Sequence, residues 1–298
     1  MAGDIVSRLC AEAERVETPC GDGGMVWHCW PATGAAAASA RAPVVLLHGG
    51  SGSWTHWVRN IDALRVVGRE VWAADLPGFG DSARPASGGD ADALIAPLAL
   101  GLTVLLSQGG ATPGPEQRCD LVGFSFGGMT AGMLLAAYPH LAQRLVLVGA
   151  PAMGVVPERQ FELKAWRHLT NPAEQDVVQR DNLAALMLHD RAQIDGLALD
   201  LHKANLARDR MPRRRLSHTD ILARSLPQVA CPVHAIYGAH DALYKQWISQ
   251  LEAAYAAVTP NFRGMTLIAD AGHWVQFERP GAFDAALRAA LEEGNASA

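Results

Sequence analysis

Leu121-Val-Gly-Phe-Ser-Phe-Gly-Gly128 is a buried-strand pattern that runs straight into Gly-x-Ser-x-Gly, and a helical pattern, Met129 to Tyr138, follows at once. Strand, sharp turn and helix in that order are the context a nucleophile elbow requires. Such a turn forces its central residue, Ser125, into strained backbone geometry, and the flanking Gly123 and Gly127 keep side chains from colliding where strand and helix come close. Ser125 is thereby presented at the C-terminal edge of a sheet and at a helix N-terminus, where the dipole favours a developing negative charge. A glycine-rich turn with an incidental serine is the bland alternative, and the strand-helix context weighs against it.

Outward from this motif, short β-rich runs alternate with longer helical patterns. Strands are expected at Met25–Trp30, Pro43–Leu47, Glu70–Ala74, Asp120–Val122, Arg144–Val148, Val233–Tyr237 and Met265–Ile268. The middle runs (Val-Val-Leu-Leu, Val-Trp-Ala-Ala, Leu-Val-Leu-Val) lack polar alternation, as strands buried on both faces of a parallel sheet do. Helices at Thr55–Val66, Asp92–Leu106, Ser125–Tyr138, Gln246–Val258 and Pro280–Leu291 have crossover length, so the fold class is an α/β sandwich. The alternation breaks between Ala150 and Pro227, where helical patterns such as FELKAWRHL (from Phe161), DNLAALMLHD (from Asp181) and DGLALDLHKANLARDR (from Asp195) follow one another. Residues 1–150 and 225–298 are therefore read as the core domain and 151–224 as a helical lid inserted into it. The insertion's Arg208, Arg210, Arg213, Arg214 and Arg215 stand among ten acidic residues and read as a mixed solvated face. Pro31–Arg41, rich in small residues, reads as an exposed loop.

Composition narrows the classes. At 298 residues with 49% hydrophobic and 18% charged, the chain is neither disordered nor fibrous. A net charge of -5 offers no cationic field for phosphate backbones, so nucleic acid is not an expected partner. The longest nearly apolar stretch, Ala93 to Leu106, contains Pro97 and falls short of the ~18 apolar residues of a membrane span. The N-terminal MAGDIVSRLCAEAER has no apolar h-region, and Cys10, Cys20, Cys29, Cys119 and Cys231 are scattered without metal or disulfide spacing; both point to the cytoplasm. Asn295-Ala-Ser297 reads as a chance glycosylation triplet in a tail. The sequence leaves a homodimer open.

A serine at its ordinary pKa needs an adjacent base, itself oriented by a third group. Val233–Tyr237 leads into Gly238-Ala-His240-Asp241, and Met265–Ile268 into Asp270-Ala-Gly272-His273. Both follow a strand's C-terminal end, where catalytic groups collect in open α/β sheets. His273 is read as the base and Asp241 as the acid, in preference to Asp270, which shares a short loop with His273 and reads as a turn residue; His240 reads as a loop histidine. Leu46-Leu-His48-Gly49-Gly50-Ser51-Gly52 is a glycine-rich turn after a buried strand whose backbone N–H groups can face an oxyanion. The donors expected are Gly50 or Ser51 together with Phe126, with His48 holding the turn through a ring hydrogen bond. Phe124, Trp274, Trp54 and Trp166 are expected to line the substrate pocket, several of them with core packing as the plain alternative.

With these residues assembled, the chain resembles the α/β-hydrolase superfamily over nearly its whole length: His48–Gly50, Asp75–Ser82 (DLPGFGDS), Gly123–Gly128, Gly238–Asp241 and Gly272–His273. The resemblance implies an eight-stranded, mostly parallel sheet, a helical lid after the sixth strand, and neither metal nor organic cofactor. Superfamily members that cleave carbon–halogen bonds or epoxides use an aspartate nucleophile, so Ser125 argues against both. Gly272-His-Trp-Val-Gln-Phe-Glu278 looks like the matching segment of carbon–carbon hydrolases of ring meta-cleavage products. Those enzymes carry an asparagine before the nucleophile, where this chain has Phe124, and an arginine on the lid, where it has His202. The leading reading is a serine hydrolase of small or medium carboxylic esters working through an acyl-enzyme. The alternatives are carbon–carbon hydrolysis of vinylogous 1,5-diketones by the same residues, and a noncatalytic ligand receptor on the same fold, which would have no need of all three groups.

Overall fold

The computed structural model describes residues 2–34, 41–107, 117–156 and 160–293. The middle of the small-residue connection (35–40) and the Asn295 triplet lie outside the described residues. The strands are β1 (Glu14–Cys20), β2 (Gly23–Trp30), β3 (Val44–Leu47), β4 (Val71–Ala74), β5 (Cys119–Phe124), β6 (Ala142–Val148), β7 (Val233–Gly238) and β8 (Phe262–Ile268). They form one sheet in the order β1-β2-β4-β3-β5-β6-β7-β8. The β1–β2 and β2–β4 pairs are antiparallel and every later pair is parallel.

Side chains of a strand alternate between faces, and here both faces are apolar. Val45 and Leu47 of β3 pack into one core with Trp27, Leu98, Leu121 and Leu145. Val44 and Leu46 pack into another with Trp57, Val122, Phe124 and Phe283. A double-sided core of this kind is why β3, β4, β5 and β7 are buried at every position, and why helices must cover both sides. The helices among the described residues are α1 (Ala2–Glu12), α2 (Ile61–Val66), α3 (Ile95–Ser107), α4 (Phe126–Ala137), α5 (Pro172–Asn182), α6 (Gly196–Ala207), α7 (Ile221–Ser225), α8 (Leu251–Val258), α9 (Val275–Glu278) and α10 (Pro280–Glu292). At the far end of the parallel strands the buried Asp120 carboxylate meets the Arg69 guanidinium and, at 2.9 Å, that of Arg144. None of the helices among the described residues is long and apolar enough to cross a membrane.

The structure departs from the sequence expectations in several places. β1 and α1 were not expected. Glu14, Arg15, Glu17 and Pro19 hide an exposed edge strand, which pairs with β2 in a hairpin whose Gly21, at φ 54°, lies so close to Arg84 O that a Cβ there would stand 2.2 Å away. Thr55–Val66 is not one helix: a 3-10 turn at Trp54–Trp57 precedes α2, and at the break the Asn60 amide donates to Gln276 O and the Asp284 carboxylate. Between β6 and β7, α5, α6 and α7 form the expected helical insertion, but Phe161–Leu169 is irregular. There the Asn182 side chain accepts from Lys164 N and donates to Lys164 O, occupying the backbone groups a helix would have used.

The Asn60 contact makes one stability prediction. Burial pushes the Asp284 carboxyl up from 3.8 to about 6, partly offset by the Asn60 hydrogen bond. A folded-state pKa above the unfolded one means that the native state binds the proton more tightly, so stability falls as pH rises from about 4 to 7. Asp284→Asn, which keeps an oxygen for Asn60, is expected to be close to wild type at pH 4 and more stable at pH 7. After discounting for the side chain's partial exposure, the gain is about 1–2 kcal/mol. Urea unfolding at the two pH values measures it, and an equal difference at both would refute the account.

Candidate active site

The turn after β5 has the strain its sequence demands: Ser125 sits at φ 51°, ψ -119°. Its amide donates to Val148 O at 2.7 Å, and its carbonyl accepts from Gly128 N and Met129 N as α4 begins. The two motif glycines are required by contact. A Cβ on Gly123 would stand 2.6 Å from Gly127 O, and one on Gly127 would stand 2.4 Å from His48 O. The elbow is therefore wedged against the turn after β3.

Three strand ends converge here. His273 Nε2 lies 2.9 Å from Ser125 Oγ, and His273 Nδ1 lies 2.9 Å from Asp241 Oδ2. Asp241 is fully buried, and its other oxygen accepts from Leu243 N at 2.9 Å. Asp270 is exposed at φ 51° on a turn, away from the imidazole, and His240 is an exposed ring stacked at 3.8 Å on His189. The His273 loop is tied down by the buried Glu278, which accepts from Gly272 N at 2.6 Å, Asp190 N at 2.6 Å and His189 N at 3.2 Å.

Gly49, Gly50 and Ser51 face Ser125 from the end of β3. Glycine is needed at 49 because a Cβ would meet the Phe124 ring at 2.9 Å. His48 donates from Nδ1 to Gly49 O at 2.7 Å and accepts Leu76 N–H on Nε2 at 2.9 Å, and burial lowers its pKa to about 4. It is a neutral brace, as the sequence led us to expect. Ser51 holds a left-handed conformation (φ 50°), and its hydroxyl donates to Asp209 at 2.5 Å and accepts from Arg214 at 3.0 Å. Arg214 in turn contacts both Asp209 oxygens, at 3.0 and 2.9 Å, and lies over the Phe79 and Phe126 rings. Burial raises the Asp209 pKa, but Arg214 and Ser51 outweigh it and hold the carboxyl below its ordinary value.

These groups border a cavity of about 880 Å³ between the sheet edge and the helical insertion. Ser125, His273, Gly50, Ser51, Phe126 and Phe124 line it, as does Trp166. Trp54 and Trp274 do not. Trp54 is packed against His28 and Trp30, with ring centroids at 5.1 and 5.4 Å. Trp274 stacks on Phe277 at 4.1 Å and donates from its indole to His56 O at 3.1 Å, so it supports the wall from behind. The arginine run is not a solvated face throughout either, since Arg210 donates to the Gly80 and Ser82 carbonyls and Arg214 reaches the site. Arg214, Gln179 and His56 also line the cavity and Asp209 braces Ser51, and nothing in the sequence marks these four except polar character beside apolar positions. No group of three metal-ligating side chains occurs among the described residues.

Removing the Arg214 guanidinium strands a largely buried carboxylate. Arg214→Met is expected to cost about 2 kcal/mol, and Asp209→Asn in that background to recover part of the loss. A denaturation double-mutant cycle checks it; strictly additive costs would show that the two residues do not act as a pair.

Comparison with known proteins places the chain in a family. The chain matches the alpha/beta hydrolase family model over residues 44–286. It is 26% identical over 268 residues to a 2-hydroxymuconate semialdehyde hydrolase of Pseudomonas sp., covering 86% of this chain and 89% of the relative. A carboxylesterase of Bacillus subtilis superposes with a TM-score of 0.70 at 18% identity, covering 98% of this chain and 96% of that one. A meta-cleavage product hydrolase does so with a TM-score of 0.66 at 19% identity, covering 94% and 98%. Structural likeness at these identities shows the fold alone; the family match goes further, and the chain belongs to the alpha/beta hydrolase family.

Proposed function

We propose that the protein is a serine hydrolase that cleaves carboxylic esters through an acyl-enzyme. The observation that carries the reading is the pair of 2.9 Å contacts from His273, one to Ser125 Oγ and one to the buried Asp241. Ser125 Oγ attacks the ester carbonyl while His273 Nε2 takes its proton. Asp241 accepts from Nδ1–H and so keeps Nε2 free to act as the base. The carbonyl oxygen becomes an oxyanion, met by the Phe126 amide at the start of α4 and by the amide of Gly50 or Ser51. One such donor is worth roughly 10²- to 10³-fold in rate. His273 then protonates the leaving alcohol as its bond to the carbonyl carbon breaks; in the second half His273 takes a proton from water as it attacks the acyl carbon and returns that proton to Ser125 Oγ as the acid leaves. Residues 151–224 act as a lid over the cavity. Five free thiols, four of them buried, fit a reducing compartment such as the cytoplasm.

The likeness to 2-hydroxymuconate semialdehyde hydrolases favours a second reading, carbon–carbon bond hydrolysis by the same three residues. That chemistry leaves an enolate or carbanion that asks for polar contacts. Here the residue before Ser125 is Phe124, fully buried and 5.0 Å ring to ring from His273. An ester needs no such contact, because its developing charge is met by backbone donors.

Mixing the enzyme with a p-nitrophenyl ester is expected to give an acyl adduct on Ser125, detected by mass spectrometry of the quenched protein. Ser125→Ala should abolish both adduct and turnover, and Asp241→Asn should lower kcat about 10⁴-fold. Turnover by Ser125→Ala near the wild-type rate would overturn the assignment. Phe124→Asn separates the two readings: it should leave ester cleavage no better and raise any activity on a ring-cleavage product. If the wild type already handles such a product with a higher kcat/KM than its best ester, the carbon–carbon reading replaces the ester one.

A further inference from the structure

The cavity wall carries polar side chains that the reaction above does not use. His56 follows the oxyanion turn in the 3-10 helix and is 4% exposed. Its Nδ1 accepts the Gly49 N–H at 3.2 Å, so its proton is on Nε2. Among the described residues no protein group takes that Nε2–H, and the ring lines the cavity. Gln179 of α5 is 1% exposed and lines the same wall. Its amide oxygen meets His202 Nε2 at 3.0 Å, which leaves the Gln179 NH2 and the His202 Nδ1 lone pair to the cavity. Both imidazoles are neutral near pH 7: burial lowers His202 to about 4 and His56 well below 6.5.

The wall therefore offers N–H donors beside an imidazole acceptor, with no charge among them. These groups are open to the cavity, and a ligand that displaces water from them must supply matching polar groups or leave them unsatisfied at a cost in free energy. A hydroxyl both accepts and donates and satisfies the set. A methyl leaves it unsatisfied, and a carboxylate would lose its hydration with no cation to replace it. Of the cations that line the cavity, Arg214 is paired with Asp209 at 2.9 Å, Lys164 with Asp181 at 2.6 Å, and Arg167 lies over the Trp166 ring.

We propose that His56, Gln179 and His202 form a subsite for an uncharged oxygen function of the substrate, a hydroxyl in the first instance, which makes the substrate a neutral hydroxy ester; this rests on the ester reading above. Methyl esters of ω-hydroxy acids from four to eight carbons, compared with unsubstituted acids and dicarboxylic acid monoesters of matched length, provide the test. At one chain length the hydroxy ester should exceed its methyl-ended counterpart in kcat/KM by threefold to tenfold, the worth of about one hydrogen bond. The carboxylate-ended ester should be the poorest throughout. Gln179→Met and, separately, His202→Leu should bring the hydroxyl-to-methyl ratio toward one, a change between substrates that general damage to the fold would not produce. Calorimetric binding of the same esters to Ser125→Ala should show the same order. That order with no hydrolysis by wild type would overturn the ester chemistry and leave the subsite standing. Ester hydrolysis with the methyl- or carboxylate-ended compounds preferred at every length would overturn the subsite.

Discussion

The close approach of the Ser125 turn to the turn after β3 governs the site. Gly127 can lie against His48 O only because it has no Cβ, and that contact holds the start of α4 beside the cavity that Phe126 lines. The strand pairing brings the two turns together, since Val44–Leu47 pairs in register with Asp120–Gly123 and both strands end at the site. A side chain at Gly127 would have to push the elbow off the β3 turn, and with it the Gly50, Ser51 and Phe126 amides. His48, neutral through burial, braces the far side of the turn against Leu76. The sheet's double-sided apolar core supplies the rigidity that lets this small region stay strained.

The insertion is built into the site as well as laid over it. It meets the His273 loop through Trp274 N, which donates to Met187 O at 2.7 Å, and through Glu278, whose carboxylate takes Gly272 N together with the amides of His189 and Asp190. It meets the turn after β3 through Asp209 and Arg214 on Ser51. Both the His273 loop and that turn are thus positioned partly by residues 187–214, a segment that also lines the cavity. Under the proposed mechanism a side chain there that shapes the pocket also bears on the geometry of Ser125 and His273, so specificity and rate would not be separable by region.

How much of this is legible in sequence follows from what each residue is buried against. Strands covered on both faces leave an unbroken apolar run, and β3, β4 and β7 fall within a residue of expectation. An edge strand buries little, so Glu14–Cys20 carries charges and a proline and reads as loop. That Ser125, Asp241 and His273 come together was readable because a strand-to-loop boundary marks each. His56 and Gln179 carry no such boundary, and whether they face core or cavity is set by packing between segments more than 100 residues apart. Trp54 and Trp274 failed for the complementary reason: a large aromatic near a catalytic residue in sequence is as easily the support of a wall as its surface.

Backbone strain around the site shows why particular residue types stand where they do. A non-glycine residue at positive φ costs of order 1–3 kcal/mol, and glycine would relieve it. Ser125 and Ser51 both occupy such positions, at φ 51° and 50°. Each hydroxyl is engaged, one by His273 and the other by Asp209 and Arg214, so glycine would relax the backbone and delete the contact. Ala152, at φ 69°, has no side-chain partner to justify it, but its carbonyl accepts from both Leu222 N and Ala223 N, at 3.1 and 3.2 Å. Those two bonds pin the start of the insertion to α7 near its end, closing the segment into a loop whose two stems lie side by side. At Ser51, Ser125 and Ala152 the strain therefore falls where the chain turns abruptly and hydrogen bonds from another segment hold the turn in place.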